Sequence, residues 1–416
     1  MATALDLQVN GAQLSAELET LAKISQEPAP VVTRVVFTEA DKRARVYVKG
    51  LCIEAGLAVR EDAIGNTFAR WAGSDASLGA VGTGSHIDAI PNAGMYDGVV
   101  GVLGGLEAIR TLQRAGFKPR RAIELLIFTS EEPTRFGIGC LGSRLLAGTM
   151  TPDAARALKD KQENALDDVR RAAGFKGELE SVKLPSEYYS AFVELHIEQG
   201  LNLEREGIPL GVVTSIAAPA SFRLWFEGEG GHAGGKLMLG RRDALVAAAE
   251  VILATETAAL ASGAVDMVAT VGVCDVFPGA VNSIPSRVRL ELDVRDTHSE
   301  RRDGVIRKIL ETAESVAKRK NVTVKTEWIN ADAPAQSGAE IVAALCMACE
   351  QSGHKYQRMV SRAYHDSLFM ARIAPVAMLF IPCRGGVSHR PDEYSKPEDI
   401  VRGTEVLART LAILAN

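Results

Sequence analysis

At 416 residues the chain exceeds what one hydrophobic core supports, since single cores stop growing at roughly 250–300 residues, so more than one domain is expected. Its 47% hydrophobic and 24% charged residues are the balance of a well-packed globular protein. A net charge of −5 with no basic run excludes nucleic acid as the main partner, and no window approaches the roughly 18 apolar residues of a membrane span. The start of the chain lacks the basic residues and apolar block of a secretory signal, and six cysteines follow no framework spacing, so a cytoplasmic enzyme with reduced thiols is expected.

Leu14, Leu18, Leu21 and Ile24 recur at helical spacing and open the chain with an amphipathic helix. Thr38 to Asp41 carry a capping signature for a second helix that stops at Gly56. Leu57 to Val59 and Thr67 to Trp71 flank a turn-like cluster and read as a hairpin. Ala80 to Ser85 is a short strand; Pro91, Asn92 and Gly94 build a loop; Val99 to Ala115 is a helix. Ala122 to Phe128 and Ala191 to Leu195 are apolar runs of the buried-strand type, with a peripheral, partly helical stretch from Thr151 to Ser186 between them.

From Gly211 the texture changes. Strands Ser221–Glu227, Asp266–Cys274, Ser286–Asp296 and Val322–Trp328 alternate with helices Arg241–Ala261 and Glu300–Arg319, an α+β unit of ferredoxin-like type. A helix (Ala339–Ser352, which absorbs the Cys346/Cys349 pair), a buried strand (Val376–Ile381) and a closing helix (Pro397–Leu414) resume the earlier α/β pattern. The fold predicted is therefore an α/β domain, mostly parallel with helices on both faces, in residues 1–215 and 330–416, with residues 216–329 inserted.

Chemistry-bearing residues collect at the ends of the predicted strands, where ligands bind in open α/β sheets. His86 closes one strand, Asp88 follows, and the next loop delivers Asp97. Glu131 and Glu132 follow Phe128, His196 follows Leu195, and His389 follows the strand ending at Ile381. His86, Asp97, Glu132, His196 and His389 are five imidazole and carboxylate donors, one too many for a tetrahedral site. With Asp97 bridging, they would hold two divalent ions (manganese or zinc, with cobalt or nickel also compatible) that activate water and polarise a carbonyl. Glu131, pointing away from Glu132 in extended chain, is the candidate general base, and Asp88 is placed to orient His86. Gly98, Gly101, Gly104 and Gly105 do not have dinucleotide-loop spacing, which leaves close helix–sheet packing as their reading and sets a nucleotide-binding oxidoreductase aside.

These segments resemble the metal-dependent amidohydrolases of the M20 peptidase clan, above all its ureide-hydrolysing branch. The wording that matches is GSHID (84–88), SEEPTRFG (130–137), ELHIEQG (194–200), GGHAGG (230–235), RRDA (241–244) and SH before RPDEY (388–394). Within the branch, SRAYHD (361–366) is similar to the ureidoglycolate amidohydrolases, where most relatives carry SGAGHD. The resemblance implies hydrolysis of the terminal ureido C–N bond of (S)-ureidoglycolate to ammonia and carbon dioxide, leading to glyoxylate. N-carbamoyl-L-amino acids or allantoate are the alternative substrates. It also implies that the inserted unit serves dimerisation or closure in a homodimer, with His232 reaching the partner's site to stabilise the oxyanion. Gln199, Asn282 and Arg295 would hold the substrate, and Tyr364 and His365 would add contacts peculiar to ureidoglycolate. Arg295 could instead pair with Asp293 or Asp296, and Asn282 could serve a turn before Pro285. Lys236 and Leu237 depart from the threonine-proline run of many carbamoylases, which loosens transfer of substrate preference from them.

Overall fold

In a computed structural model that describes residues 6–416, the chain separates into two compact units. The first comprises the residues up to Thr214 with Gln336–Ser361 and His365–Asn416; the second comprises Ser215–Ala335 and Arg362–Tyr364. Among the described residues no helix is long and apolar enough to cross a membrane.

The first unit is built on a nine-stranded mixed sheet. At its centre Val376–Ile381, Tyr189–Ile197, Ala80–His86 and Ile123–Phe128 lie side by side and parallel. Antiparallel strands flank them: Leu210–Ile216 beside Val376–Ile381, and the Ala58–Glu61/Thr67–Trp71 hairpin beside Ile123–Phe128. Three of the central strands are buried along their whole length, so both sheet faces are covered and no alternation survives in their sequence.

Helices Val99–Arg114 and Pro397–Leu414 pack on this sheet through Leu103, Leu106, Val406 and Leu407 against Leu195 and Ile381. Each fully buried leucine of this kind contributes about 1.5–3 kcal/mol. Gly101 makes the approach possible, because a Cβ there would lie 2.4 Å from the Leu195 carbonyl oxygen and 2.7 Å from Ser85 Cβ. The glycine-rich helix start therefore serves packing against the sheet.

Local pattern missed several elements. Ala89–Ala93, expected as a loop, pairs antiparallel with Val32–Arg34, a strand too short to carry a period. Leu210–Ile216 and Tyr356–Ser361 are further strands of the large sheet, the former buried on both sides and so without alternation. Leu141–Ala147 and Asp366–Met370 are short helices, also unforeseen. The stretch from Thr151 to Ser186 holds only the short helices Pro152–Arg156 and Leu166–Ala172 and a turn at Leu179–Ser181.

The second unit has a four-stranded antiparallel sheet in the order Val268–Phe277, Arg287–Asp296, Ala218–Glu227, Thr323–Ala331. Phe222, Leu224 and Phe226 are buried while Arg223 and Trp225 between them are half-buried, the period of two expected of a sheet covered on one face. Helices Ala244–Leu260 and Ser299–Lys320 supply that cover through Val251, Ile306 and Ile309. The order and the two helical crossovers are those of a ferredoxin-like unit.

Candidate metal centre

The four central parallel strands deliver side chains to one edge of the sheet. His86 is the last residue of its strand, His196 the last but one of its own, and Glu131–Glu132 and His389 follow theirs. Together with Asp97, just before the helix at Val99, they form two donor trios: His86, Asp97 and His196, and Asp97, Glu132 and His389.

Asp97 belongs to both trios, and its two oxygens divide between them. Oδ1 lies 3.2 Å from His196 Nε2 and 3.6 Å from His86 Nε2. Oδ2 lies 3.2 Å from His389 Nε2, which is also 3.1 Å from Glu132 Oε1. Two ligands held about 2.1 Å from one cation at tetrahedral angles stand roughly 3.4 Å apart, so this spacing suits shared coordination.

Proton accounting points the same way. His86 Nδ1 is 3.0 Å from the Asp88 carbonyl and His196 Nδ1 is 2.9 Å from the Ile197 carbonyl. A carbonyl can only accept, so both Nδ1 atoms donate; in the neutral rings His196 Nε2 then accepts from the Gly98 N–H at 3.2 Å, and His86 Nε2 faces Asp97 with a lone pair unless positive charge lies between. Burial works against charging His86, yet Glu131, Asp97 and Asp88 outweigh it and raise its pKa well above the ordinary imidazole value. Hydrogen bonding to Asp97 and Glu132 pushes His389 up to about 11. Burial likewise opposes the charge on Asp97, but His196, His389 and His86 hold it well below the usual carboxylate range. The donor set calls for cations, and two divalent ions fit it.

Glu131 stands beside the trios without joining either: its Oε2 is 3.7 Å from His86 Nε2, and Cys140 Sγ donates to its Oε1 at 3.3 Å. Burial, with Glu132, Asp366 and Asp97 nearby, drives its pKa well above the ordinary carboxylate value against the pull of His86. Asp88 acts differently from expectation. Its carbonyl, not its carboxylate, meets the His86 ring; the carboxylate is 3.7 Å from Nδ1 and instead accepts from the backbone N–H groups of Glu131 (3.3 Å) and Glu132 (3.1 Å). It thereby fixes the turn that separates the two acids. Ser130, Gln199 and His389 adopt left-handed backbone (φ 57°, 54° and 60°), a strain that clusters where the site is assembled.

Gln199 Nε2 donates to Asp97 Oδ2 at 2.7 Å. His365 is buried edge-on to His196, ring centroids 4.6 Å apart, with Nε2 3.0 Å from Ser361 Oγ. Burial, with His196 close by, holds its pKa well below the ordinary value.

The other expected substrate residues belong to the second unit. There Gly231–His232 pairs with Ser283–Ile284, and the Ala233 N–H donates to the Asn282 carbonyl at 2.8 Å, which brings His232 and Asn282 together, both exposed, where two short strands meet. Gly234 N–H donates to His232 Nδ1 at 3.2 Å, leaving the proton of the neutral ring on the exposed Nε2. Arg295 pairs with Asp293 at 2.7 Å, the plainer of its alternatives, and reaches the Arg362 carbonyl at 3.3 Å. Tyr364 donates its hydroxyl to Asp332.

Several buried residues at the centre were not singled out from the sequence. Glu194 accepts hydrogen bonds from Ser85 Oγ (2.7 Å) and Ser367 Oγ (2.6 Å). Its position two residues before His196 on one strand was a readable signal, since i and i+2 share a face. Asp366 takes the Ser143 hydroxyl at 2.5 Å, and Glu393 and Ser388 lie behind Asp97.

The model of peptidase family M20/M25/M40 matches residues 82–413, a span that contains both trios. The chain belongs to that family. A ureidoglycolate hydrolase from Oryza sativa subsp. japonica is 53% identical to this M20 chain over 97% of its length and 84% of the relative's. The crystal structure of AtUAH in complex with (S)-hydroxyglycine is 51% identical, with a TM-score of 0.86 over 98% of each chain. An N-carbamoyl-L-amino acid amidohydrolase from Geobacillus stearothermophilus is 39% identical over 98% of this chain and 99% of its own. The M20 chain is thus a hydrolase whose relatives act on ureido and carbamoyl compounds.

Proposed function

We propose that this M20 hydrolase uses two divalent cations to cleave the terminal ureido C–N bond of (S)-ureidoglycolate. The chemistry is carried by the two donor trios that share Asp97, with Glu131 beside them and outside both. The substrate follows from the 53%-identical ureidoglycolate hydrolase and from the 51%-identical AtUAH structure with (S)-hydroxyglycine.

His86, Asp97 and His196, and Asp97, Glu132 and His389, would hold the cations, which would supply polarisation of the ureido carbonyl and a more acidic attacking water. Glu131 takes the proton as the water oxygen bonds to the carbonyl carbon, from its place beside both trios and outside them. It returns that proton to the terminal nitrogen as the C–N bond breaks, so ammonia leaves. The carbamate that remains loses carbon dioxide, and the hydroxyglycine so formed decays to glyoxylate and a second ammonia. Asp88 keeps Glu131 and Glu132 apart by holding both their amides.

Gln199, Asn282 and Arg295 bind the substrate, Arg295 through its carboxylate. Tyr364 and His365 read its hydroxyl, which can discriminate strongly against analogues lacking one. The enzyme works as a homodimer, in which His232 of the partner subunit donates from Nε2 to the developing oxyanion.

Ammonia release from ureidoglycolate, allantoate and N-carbamoyl-L-alanine, each with manganese and with zinc, tests the proposal. Ureidoglycolate should be turned over fastest. Faster turnover of the carbamoyl amino acid would favour the reading suggested by the 39%-identical relative and move the assignment there.

A further inference from the structure

Glu393 lies four residues beyond His389 in irregular chain and is only 4% exposed. Its Oε1 accepts the backbone N–H groups of Tyr96 (2.8 Å) and Asp97 (3.0 Å). Its Oε2 is 2.9 Å from Ser388 Oγ, and that same hydroxyl is 2.5 Å from Asp97 Oδ2. One carboxylate therefore ties the loop that carries Asp97 to the turn that carries His389, across 296 residues of sequence.

A hydroxyl has a single proton to give. Given to Asp97, it competes with a cation for Oδ2, the oxygen that faces His389. Given to Glu393, it leaves Oδ2 with one hydrogen bond fewer, that from the Gln199 amide at 2.7 Å. Glu393 is thus both the anchor of the Asp97 loop and the alternative acceptor that releases Asp97 for coordination. Gly94 keeps space for it: a Cβ at Gly94 would lie 2.4 Å from Glu393 Cβ and 2.7 Å from its Oε1. His86 and His196 are oriented separately, by the carbonyls of Asp88 and Ile197.

We infer that Glu393 is a positioning residue that aligns Asp97 with His389 and so governs cation binding at the Asp97–Glu132–His389 trio more than at its neighbour. The inference rests on the two-cation reading above. In Glu393→Gln, one amide oxygen can still accept the two backbone N–H groups, but the NH2 that replaces Oε2 donates to Ser388 and sends the hydroxyl proton to Asp97. In Gly94→Ala the acid is unchanged but displaced, since the backbone at Gly94 is not left-handed and the three atoms nearest an added Cβ all belong to Glu393.

Calorimetric titration of metal-stripped protein with manganese, alongside thermal melts of the metal-free forms, decides the matter. The wild type should bind two ions per chain. Both variants should keep one binding event near its wild-type affinity and weaken the other roughly 10–100-fold, the usual cost of losing an outer-shell partner. Unchanged binding in both variants, or equal weakening of both events, overturns the inference. A wild type that binds fewer than two ions sinks the two-cation reading instead, and the inference with it.

Discussion

The two units place their candidate site residues differently. In the first, His86, Asp88, Asp97, Glu132 and His196 are all buried, each held by a neighbour from the same unit. In the second, the core around Phe222, Leu290 and Ile309 is apolar, Asp296 is buried against Arg301, and His232 and Asn282 stand exposed where two short strands pair. Burying a charge costs free energy unless a partner of opposite charge or a metal offsets it. The first unit has therefore concentrated buried charge that a bound cation would offset, whereas the second presents these two groups to solvent.

Chelation tests that contrast most severely. Stripping divalent ions should abolish turnover, with recovery when manganese or zinc is restored; full activity in demonstrably metal-free protein would end the comparison. Next in size is Glu131→Gln, which should lower kcat roughly 10²–10⁴-fold while metal content, measured by elemental analysis, stays as in the wild type. Glu132→Gln should lose metal as well, and equal metal loss in both variants would mean their roles are exchanged. His232→Ala should lower kcat by about 10²–10³-fold and leave metal affinity untouched. A drop in cation binding on that change would show that the second unit takes part in holding the ions.

Smaller effects sharpen the picture. Tyr364→Phe should reduce the kcat/KM preference for ureidoglycolate over N-carbamoyl-L-alanine by about tenfold, the worth of one hydrogen bond; an unaltered ratio would remove the tyrosine from substrate reading. Gly101→Ala should destabilise the first unit by about 1–3 kcal/mol through overpacking against Leu195 and Ser85. Its melting should fall while hydrogen exchange in Ala218–Glu227 stays at the wild-type rate, and a shift there would mean the units do not unfold separately.

What could be read from sequence follows the physics of each residue. His86 and His196 announce themselves because each closes a buried strand, where an imidazole has no reason to be unless it is used. The ferredoxin-like alternation was legible because one face of that sheet is covered and the other is not. Strand order was not, since Ala80–His86 and Tyr189–Ile197 are neighbours a hundred residues apart and nothing local records it. Glu393 looks like a solvated acid beside Arg390 and Asp392, and only tertiary packing against Gly94 and the Asp97 amides makes it a buried anchor. For Asp88, alternation put the side chain on the His86 side, but the chain turns at once and the carbonyl takes the ring nitrogen.

The placement of Val376–Ile381 has a consequence for biosynthesis. This late strand sits between Tyr189–Ile197 and Leu210–Ile216, which were made far earlier and do not touch each other without it. A nascent chain still short of it carries a split sheet and lacks His389, so the central layer closes only once this strand has been made. The Asp97, Glu132 and His389 donors come together only after that step, and a chain cut before this strand leaves an open strand edge prone to aggregation.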